Sequence, residues 1–332
     1  MTAATVLVAG GAGYIGSHMV NALQGAGHHA IVLDDLSRGH RDLVVSGSAF
    51  IHGSIQDTAL LDQIFTDHRI DAVMHFAAHS QVGESVTAPL IYYRNNVAAT
   101  VELIAAMVRH DVRRFIFSST AAVYGEPETT PITENHPLRP ANPYGVTKMT
   151  VERMLSDCDT AHGIKSICLR YFNAAGADEN GRIGERHDPE THLIPLVLTV
   201  ATGQRDRISI FGTDYPTPDG TCLRDYVHVT DLSRAHLLAL DALLGGGDSA
   251  VYNLGNSKGH SVREVITLAR KITGHPIPAE EVGRRAGDPA NLVAGSDKAR
   301  KELGWQPHYE QLETIIETAW QWHRREAHHL VS

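Results

Sequence analysis

The pattern of apolar and polar positions divides the chain in two. In the first half, short apolar runs alternate with longer stretches of helical period. The runs Thr5–Ala9, Ala30–Leu33, Ala49–His52, Ala72–His75, Arg114–Phe117 and Ser166–Leu169 predict strands, and helices are predicted from about Gly13 to Gly25 and near 57–68, 95–110 and 143–162. Strands that are apolar at nearly every position belong to a parallel sheet covered on both faces. Right-handed crossovers make such a sheet doubly wound. After about residue 175 the pattern loosens. The stretch 177–190 is polar and Gly-rich and 212–220 carries two prolines, so both predict loops. Helices resume near 193–203, 229–243, 261–273 and 311–325, and Ser261-Val-Arg-Glu264 is a capping box that fixes one start.

Composition narrows the class. Of 332 residues, 42% are hydrophobic and 20% charged, the balance of a folded protein. A net charge of −9 argues against a nucleic-acid partner, which needs a basic surface. Cys158, Cys168 and Cys222 form no CxxC, so neither a disulfide framework nor a zinc site is expected, and a reducing cytoplasm fits. No Lys or Arg precedes Arg38, so no secretory leader is expected, and apolar stretches such as Leu193–Ala201 are too short to span a membrane. The 21 histidines, including His28-His29 and His328-His329, show no H-E-x-x-H or other ligand spacing, so no metal is expected.

Gly10-Gly-Ala-Gly13-Tyr-Ile-Gly16 follows the first strand directly and opens the first helix. The early glycines permit a tight turn and close approach of backbone to a pyrophosphate. The last lets helix pack on strand, and the helix N-terminus offers amide donors. Asp34 lies 18 residues beyond Gly16, at the end of the second strand. A carboxylate there accepts from the adenosine ribose and repels a 2′-phosphate, which favours NAD over NADP. Asp35 adds negative charge, and Arg38 opposes it. The predicted fold is therefore α/β, a doubly wound parallel Rossmann sheet with a smaller C-terminal substrate-binding α/β lobe. Residues 1–175 would form the NAD-binding domain, some later segments returning to it, and 176–332 mainly the second lobe.

Asn142-Pro143 reads as N-cap and first residue of a helix, which sets Tyr144 and Lys148 one turn apart on one face. A lysine ammonium lowers the pKa of a nearby phenol, and the phenolate can then take a hydroxyl proton while hydride leaves the same carbon. The chain has only 6 Lys against 23 Arg, so a lysine at this spacing is conspicuous. Upstream, Phe115–Thr120 is a strand ending in three hydroxyls at the sheet edge where open α/β folds bind ligands.

Together, Gly10–Gly16, Asp34, Ser118–Gly125, Tyr144–Lys148 and Tyr171-Phe-Asn173 resemble the extended short-chain dehydrogenase/reductase superfamily. Val82–Ser85, Tyr92–Asn96, Tyr215–Thr221, Arg224–His228 and Arg284–Asp288 narrow the resemblance to its UDP-glucose 4-epimerases. The resemblance implies a tightly bound NAD, UDP-glucose and UDP-galactose as substrates, and a homodimer formed through the helices near 95–110 and 143–162. It makes Tyr144 the base, Thr120 its hydrogen-bond partner and Lys148 the residue that tunes it. Cofactor contacts are implied for Gly10, Gly13, Tyr14, Ile15, Gly16, Asp34, Asp35, Leu36, Ser37, Ser54, Ile55, Phe76, Ala77, Ala78, Asn95, Ser118, Tyr144, Lys148 and Phe172. Substrate contacts are implied for Thr120, Tyr144, Asn173, His192, Leu193, Phe211, Arg224, Arg285, Asp288 and Leu292. The two arginines would hold the pyrophosphate, Phe211 would flank uracil, and Asp288 would face a ribose hydroxyl. Three positions depart from the family pattern. Thr120 stands where many members have Ser, Ser54 replaces an Asp near the adenine, and Leu292 is intermediate at the position that gates N-acetylated sugars.

Three rival readings are weaker. A nucleotide-sugar 4,6-dehydratase needs an acid–base pair after the Thr, where this chain has Ala121 and Ala122. A non-catalytic NAD sensor of this fold typically loses the tyrosine or lysine, and both are present. A serine hydrolase is suggested by Gly255-Asn-Ser-Lys-Gly259 after a strand at Val251–Leu254. The next helix starts only at Ser261, so Ser257 is expected in a loop and not in a strained elbow.

Overall fold

The computed structural model describes residues 3–285 and 288–329. Ala286 and Gly287 of the Arg284–Asp288 segment, and the side chains of His328 and His329, lie outside the described residues. In chain order the elements are β1 (Thr5–Ala9), α1 (Tyr14–Gly25), β2 (His29–Asp34), β3 (Ala49–His52), α2 (Thr58–Asp67), β4 (Ala72–His75), α3 (Val82–Thr87), α4 (Pro89–Tyr92), a π-turn (Tyr93–Ala98), α5 (Ala99–Arg109), β5 (Arg114–Thr120), α6 (Pro143–His162), β6 (Lys165–Tyr171), β7 (Asn173–Ala175), α7 (Leu193–Ala201), β8 (Ile208–Phe211), β9 (Leu223–His228), α8 (Val229–Leu244), β10 (Ala250–Leu254), β11 (Gly259–Ser261), α9 (Val262–Thr273), β12 (Ala279–Val282), β13 (Asn291–Leu292), α10 (Asp297–Glu302) and α11 (Leu312–His329).

Seven strands form one sheet in the order β10-β6-β5-β4-β1-β2-β3, every pair parallel. Strand alternation sorts the core into two layers. Val6, Val8 and Val32 face α1 and α8, against Met19, Leu23, Leu232 and Leu240. Leu7, Ile31 and Leu33 face α2, α5 and α6, against Leu61, Leu103, Met107 and Leu155. Each such fully buried aliphatic side chain contributes about 1.5–3 kcal/mol, and together they hold the strand ends in register. The doubly wound expectation is met, and the sheet gains a late edge strand, β10, beside β6.

The rest of the C-terminal half is built on short strands. β9 pairs with β7, β11 and β13, and β8 pairs with β12. A separate apolar cluster of Val197, Leu198, Ile266 and Ile316 joins α7, α9 and α11. The Ser261 hydroxyl accepts from Glu264 N at 3.0 Å and Ser261 N donates to Glu264 at 2.7 Å, the reciprocal box that starts α9. Ser257 departs from expectation, since its φ of +58° is strained. A strand follows it, and its amide donates to Asp225 at 3.0 Å, which accounts for the turn without nucleophile chemistry. No helix among the described residues is long and apolar enough to cross a membrane.

Candidate active site

The loop between β1 and α1 is shaped by its glycines. Gly10 has φ +81°, and a Cβ there would lie 2.4 Å from Ala77 N. A Cβ on Gly16 would meet Gly10 O at 2.1 Å, so helix and turn touch through that glycine alone. Gly13 differs: the nearest atom to a Cβ is Gly10 O at 3.5 Å, so its outer side is open. Gly13 caps α1 without any side-chain bond. The amides of Tyr14, Ile15 and Gly16 therefore lack intrahelical acceptors and form an anion cradle. This open, amide-lined turn fits the pyrophosphate of a dinucleotide.

Asp34 ends β2, 8% exposed. It accepts from Ala12 N and Leu36 N, each at 2.9 Å. Burial raises its pKa, and the two amide bonds oppose that shift. The Leu36 amide bond holds that residue at φ +58°, a conformation costing on the order of 1–3 kcal/mol. Asp35 accepts from Ser37 N and Oγ. Arg38 points elsewhere, to Glu84 at 3.0 Å and the Asp188 carbonyl at 2.9 Å, so it is not offered to a 2′-phosphate. Ser54 and Ile55 follow β3. Phe76, Ala77 and Ala78 follow β4, with the Phe76 and Ala77 amides held by Ala9 O. Asn95 lies in the π-turn, a distortion that recurs at functional sites.

Tyr144 and Lys148 stand on the first turns of α6, whose N-cap Asn142 accepts from Gly145 N at 2.9 Å with Pro143 at the first position. Alternation along β5 turns Ser118 and Thr120 to one side and Ser119 to the other. Ser118 Oγ bonds the Tyr171 hydroxyl, whereas Ser119 Oγ donates to Glu152 at 2.5 Å. Thr120 Oγ1 accepts from Ala122 N at 3.1 Å, which leaves its own proton to give. Lys148 Nζ donates to Ser118 O at 2.7 Å and lies 6.0 Å from the centre of the Tyr144 ring. Burial pushes the Tyr144 phenol up to about 12, with the Thr120 hydroxyl pulling it down. Burial pulls Lys148 down to about 7, opposed by Glu152. In the chain alone burial therefore outweighs any lowering of the tyrosine pKa by the lysine. Glu152 and Tyr171 carry no role in the sequence reading. The Tyr-x-x-x-Lys-x-x-x-Glu spacing on one helix face is the signal that could have found the first.

Among the substrate-side candidates, Arg224, Arg285, Asp288 and Phe211 lie within reach of one another. Arg224 in β9 donates to Leu223 O and Pro289 O, and its Nη2 lies 3.7 Å from Asp288. The Arg285 guanidinium stacks 4.4 Å over Phe211 and reaches Asp288 at 4.0 Å. Phe211, the last residue of β8, is 39% exposed, so one face of its ring is open. Leu292 is opposite Arg224 in the ladder and packs with Phe172 and Tyr124. Asn173 starts β7, His192 caps α7 and Leu193 begins it. Ala121 and Ala122 form a short turn after Thr120 and bring no acid. Although the sequence spacing suggests no metal site, the fold gathers Glu185, His187, Glu190 and His192 within one segment.

The profile of the NAD dependent epimerase/dehydratase family matches residues 6–255. The UDP-glucose 4-epimerase of Halalkalibacterium halodurans is 57% identical over 97% of this chain and 96% of its own length. The UDP-glucose 4-epimerase of Brucella ovis, solved in complex with NAD, superposes with TM-score 0.93 at 47% identity, covering 96% of this chain and 98% of that one. The enzyme of Bifidobacterium longum, solved with NAD+ and UDP, superposes with TM-score 0.92 at 38% identity, covering 97% and 98%.

Proposed function

The chain belongs to the NAD dependent epimerase/dehydratase family, and on that premise we propose that it interconverts UDP-glucose and UDP-galactose with tightly bound NAD. The observation that carries this reading is the meeting of Tyr144, Thr120 and Lys148 at the C-terminal end of β5, on a sheet whose first strand opens into a glycine turn with a free outer side. The cofactor supplies hydride acceptance, hydride return and the positive charge of its oxidised ring. Gly10, Gly13, Gly16, Asp34 and Lys148 are the residues that would hold it. Tyr144 takes the C4 hydroxyl proton and returns it, and Thr120 hydrogen-bonds the same oxygen. Lys148 sits where its charge favours the phenolate once a second cation is beside the ring. Arg224 and Arg285 hold the pyrophosphate, Phe211 flanks the uracil, and Asn173, His192, Leu193 and Asp288 complete the UDP site. The anchored UDP lets the 4-keto sugar turn so that hydride returns to its other face. Leu292, between Phe172 and Arg224, sets the width of the sugar pocket.

The alanines after Thr120 and the presence of both Tyr144 and Lys148 count against the dehydratase and sensor readings. Division at about residue 175 into an NAD domain and a UDP-sugar lobe, with α8 and β10 returning to the first, follows the sheet order. Three unpaired cysteines fit a cytoplasmic setting. A homodimer is supported by an exposed apolar strip of Val82, Val86, Leu90, Ile91, Tyr93 and Val101. This strip runs along α3, α4, the π-turn and α5. The test is to give purified protein UDP-galactose without added NAD and to follow UDP-glucose with a UDP-glucose-specific dehydrogenase. Steady product formation supports the reading. Protein that retains NAD and converts nothing overturns it.

A further inference from the structure

We propose that Glu185, His187, Glu190 and His192 bind one divalent transition-metal ion of the zinc class, which clips the 184–192 segment between the cofactor loop and the head of α7. The four residues fall within eight consecutive positions, each offering one ligand atom, and all four atoms lie within 4.8 Å of one another. A tetrahedral zinc with bonds of about 2.0–2.2 Å requires ligand atoms about 3.3–3.5 Å apart. His187 Nδ1 lies 3.2 Å from Glu185 Oε1 and 3.6 Å from Glu190 Oε2, and His192 Nδ1 lies 3.6 Å from Glu190 Oε1, the other oxygen of that carboxylate. The His192–Glu185 contact, at 2.5 Å, is well below that range and would open by about 1 Å around a metal.

Three further observations favour a cation at the centre. His187 Nδ1 is buried yet makes no hydrogen bond of good geometry, although carboxylates surround it. Glu185 is 4% exposed, and a carboxylate so deep needs a positive charge beside it, which the two imidazoles when protonated or a metal ion in their place can supply. Two neutral imidazoles and two carboxylates carry a charge that a divalent ion cancels, with donors suited to zinc, cobalt or manganese. The segment is also fixed from outside, as metal ligands require. Trp322 Nε1 donates to Glu185 O at 2.9 Å, Arg186 reaches Asp42 and Glu326, and Gln81 donates to Pro189 O at 3.1 Å. Together with Arg38 on Asp188 O, these contacts join the segment to the Asp34–Arg38 loop and to α11. A metal here restrains a segment that touches the Asp34–Arg38 loop at one end and carries His192 at the head of α7 at the other.

The experiment uses the full-length, NAD-loaded protein stripped with a chelator, then titrated with Zn2+ alone by calorimetry and with Co2+ by visible absorption. The expected result is one ion per chain and the intense bands of four-coordinate cobalt. His187→Gln and Glu190→Gln should each weaken Zn2+ binding by more than about 100-fold, beyond the loss caused by removing an outer partner. Both variants should retain NAD and the wild-type circular dichroism. His28→Gln/His29→Gln should bind as wild type does. Absence of stoichiometric binding, or equal binding in H187Q and E190Q, overturns the proposal and leaves the cluster as a proton-held ion-pair network.

Discussion

At the scale of single residues, the site balances burial against charge. On the proposed mechanism Tyr144→Phe removes the atom that takes the C4 proton, so kcat should fall by about 10²–10⁴-fold while NAD stays bound. Thr120→Ala removes one hydrogen bond to a developing anion and should cost about 10–100-fold in kcat. Steady-state assays with UDP-galactose check both. Lys148 leaves a pH signature on stability. Its folded pKa of about 7 lies below the ordinary 10.5, so between those values the unfolded chain binds the extra proton. Stability of the cofactor-free protein should therefore rise with pH from about 7 toward 10. Lys148→Met should flatten that rise, which paired melting curves across the range would reveal. A wild-type curve no steeper than the variant's would contradict the burial of this ammonium.

At the scale of elements, the sequence was most legible where one residue type has one physical job. Thr5–Ala9, Ala49–His52 and Ala72–His75 were read to their ends because apolar runs stop where the sheet stops. Asn142-Pro143 and Ser261–Glu264 marked helix starts because capping is local. β7, β11 and β13 were not foreseen, since strands of two or three residues owe their pairing to β9 and carry no period of their own. The helix predicted near 95–110 runs through the second half of the π-turn at Tyr93–Ala98, a single inserted residue leaving no mark on the pattern. In the glycine loop the structure separates two roles that the motif merges. Gly16→Ala places a Cβ 2.1 Å from Gly10 O, so it should abolish soluble, NAD-loaded protein. Gly13→Ala meets nothing closer than 3.5 Å, so it should fold with a near-wild-type melt yet lose NAD on gel filtration. Equal folding defects in both would show that the loop serves packing alone.

At the scale of the whole molecule, seven parallel strands bring β1, β4, β5 and β6 to one edge, where residues far apart in sequence meet. That convergence brings Thr120 at the end of β5 to Tyr144 on α6, a pairing that in the sequence rested on the family resemblance. The Glu152–Arg170 pair under them, at 2.5 Å, was not legible in the sequence, since it depends on strand register. The exposed apolar strip gives a prediction about assembly. Leu90, 77% exposed on α4, should lie inside the dimer, so Leu90→Asp should shift the protein to monomer in sedimentation without unfolding it. A wild type that sediments as a monomer would remove that part of the account. The central claim is that hydride leaves and returns to the same carbon while Tyr144 handles only the hydroxyl proton. Turnover of UDP-galactose in D2O, read by NMR at C4 of the product, tests it most directly. The account predicts UDP-glucose with no deuterium at C4, formed about 10²–10⁴-fold more slowly by Tyr144→Phe. Deuterium at C4 would contradict it.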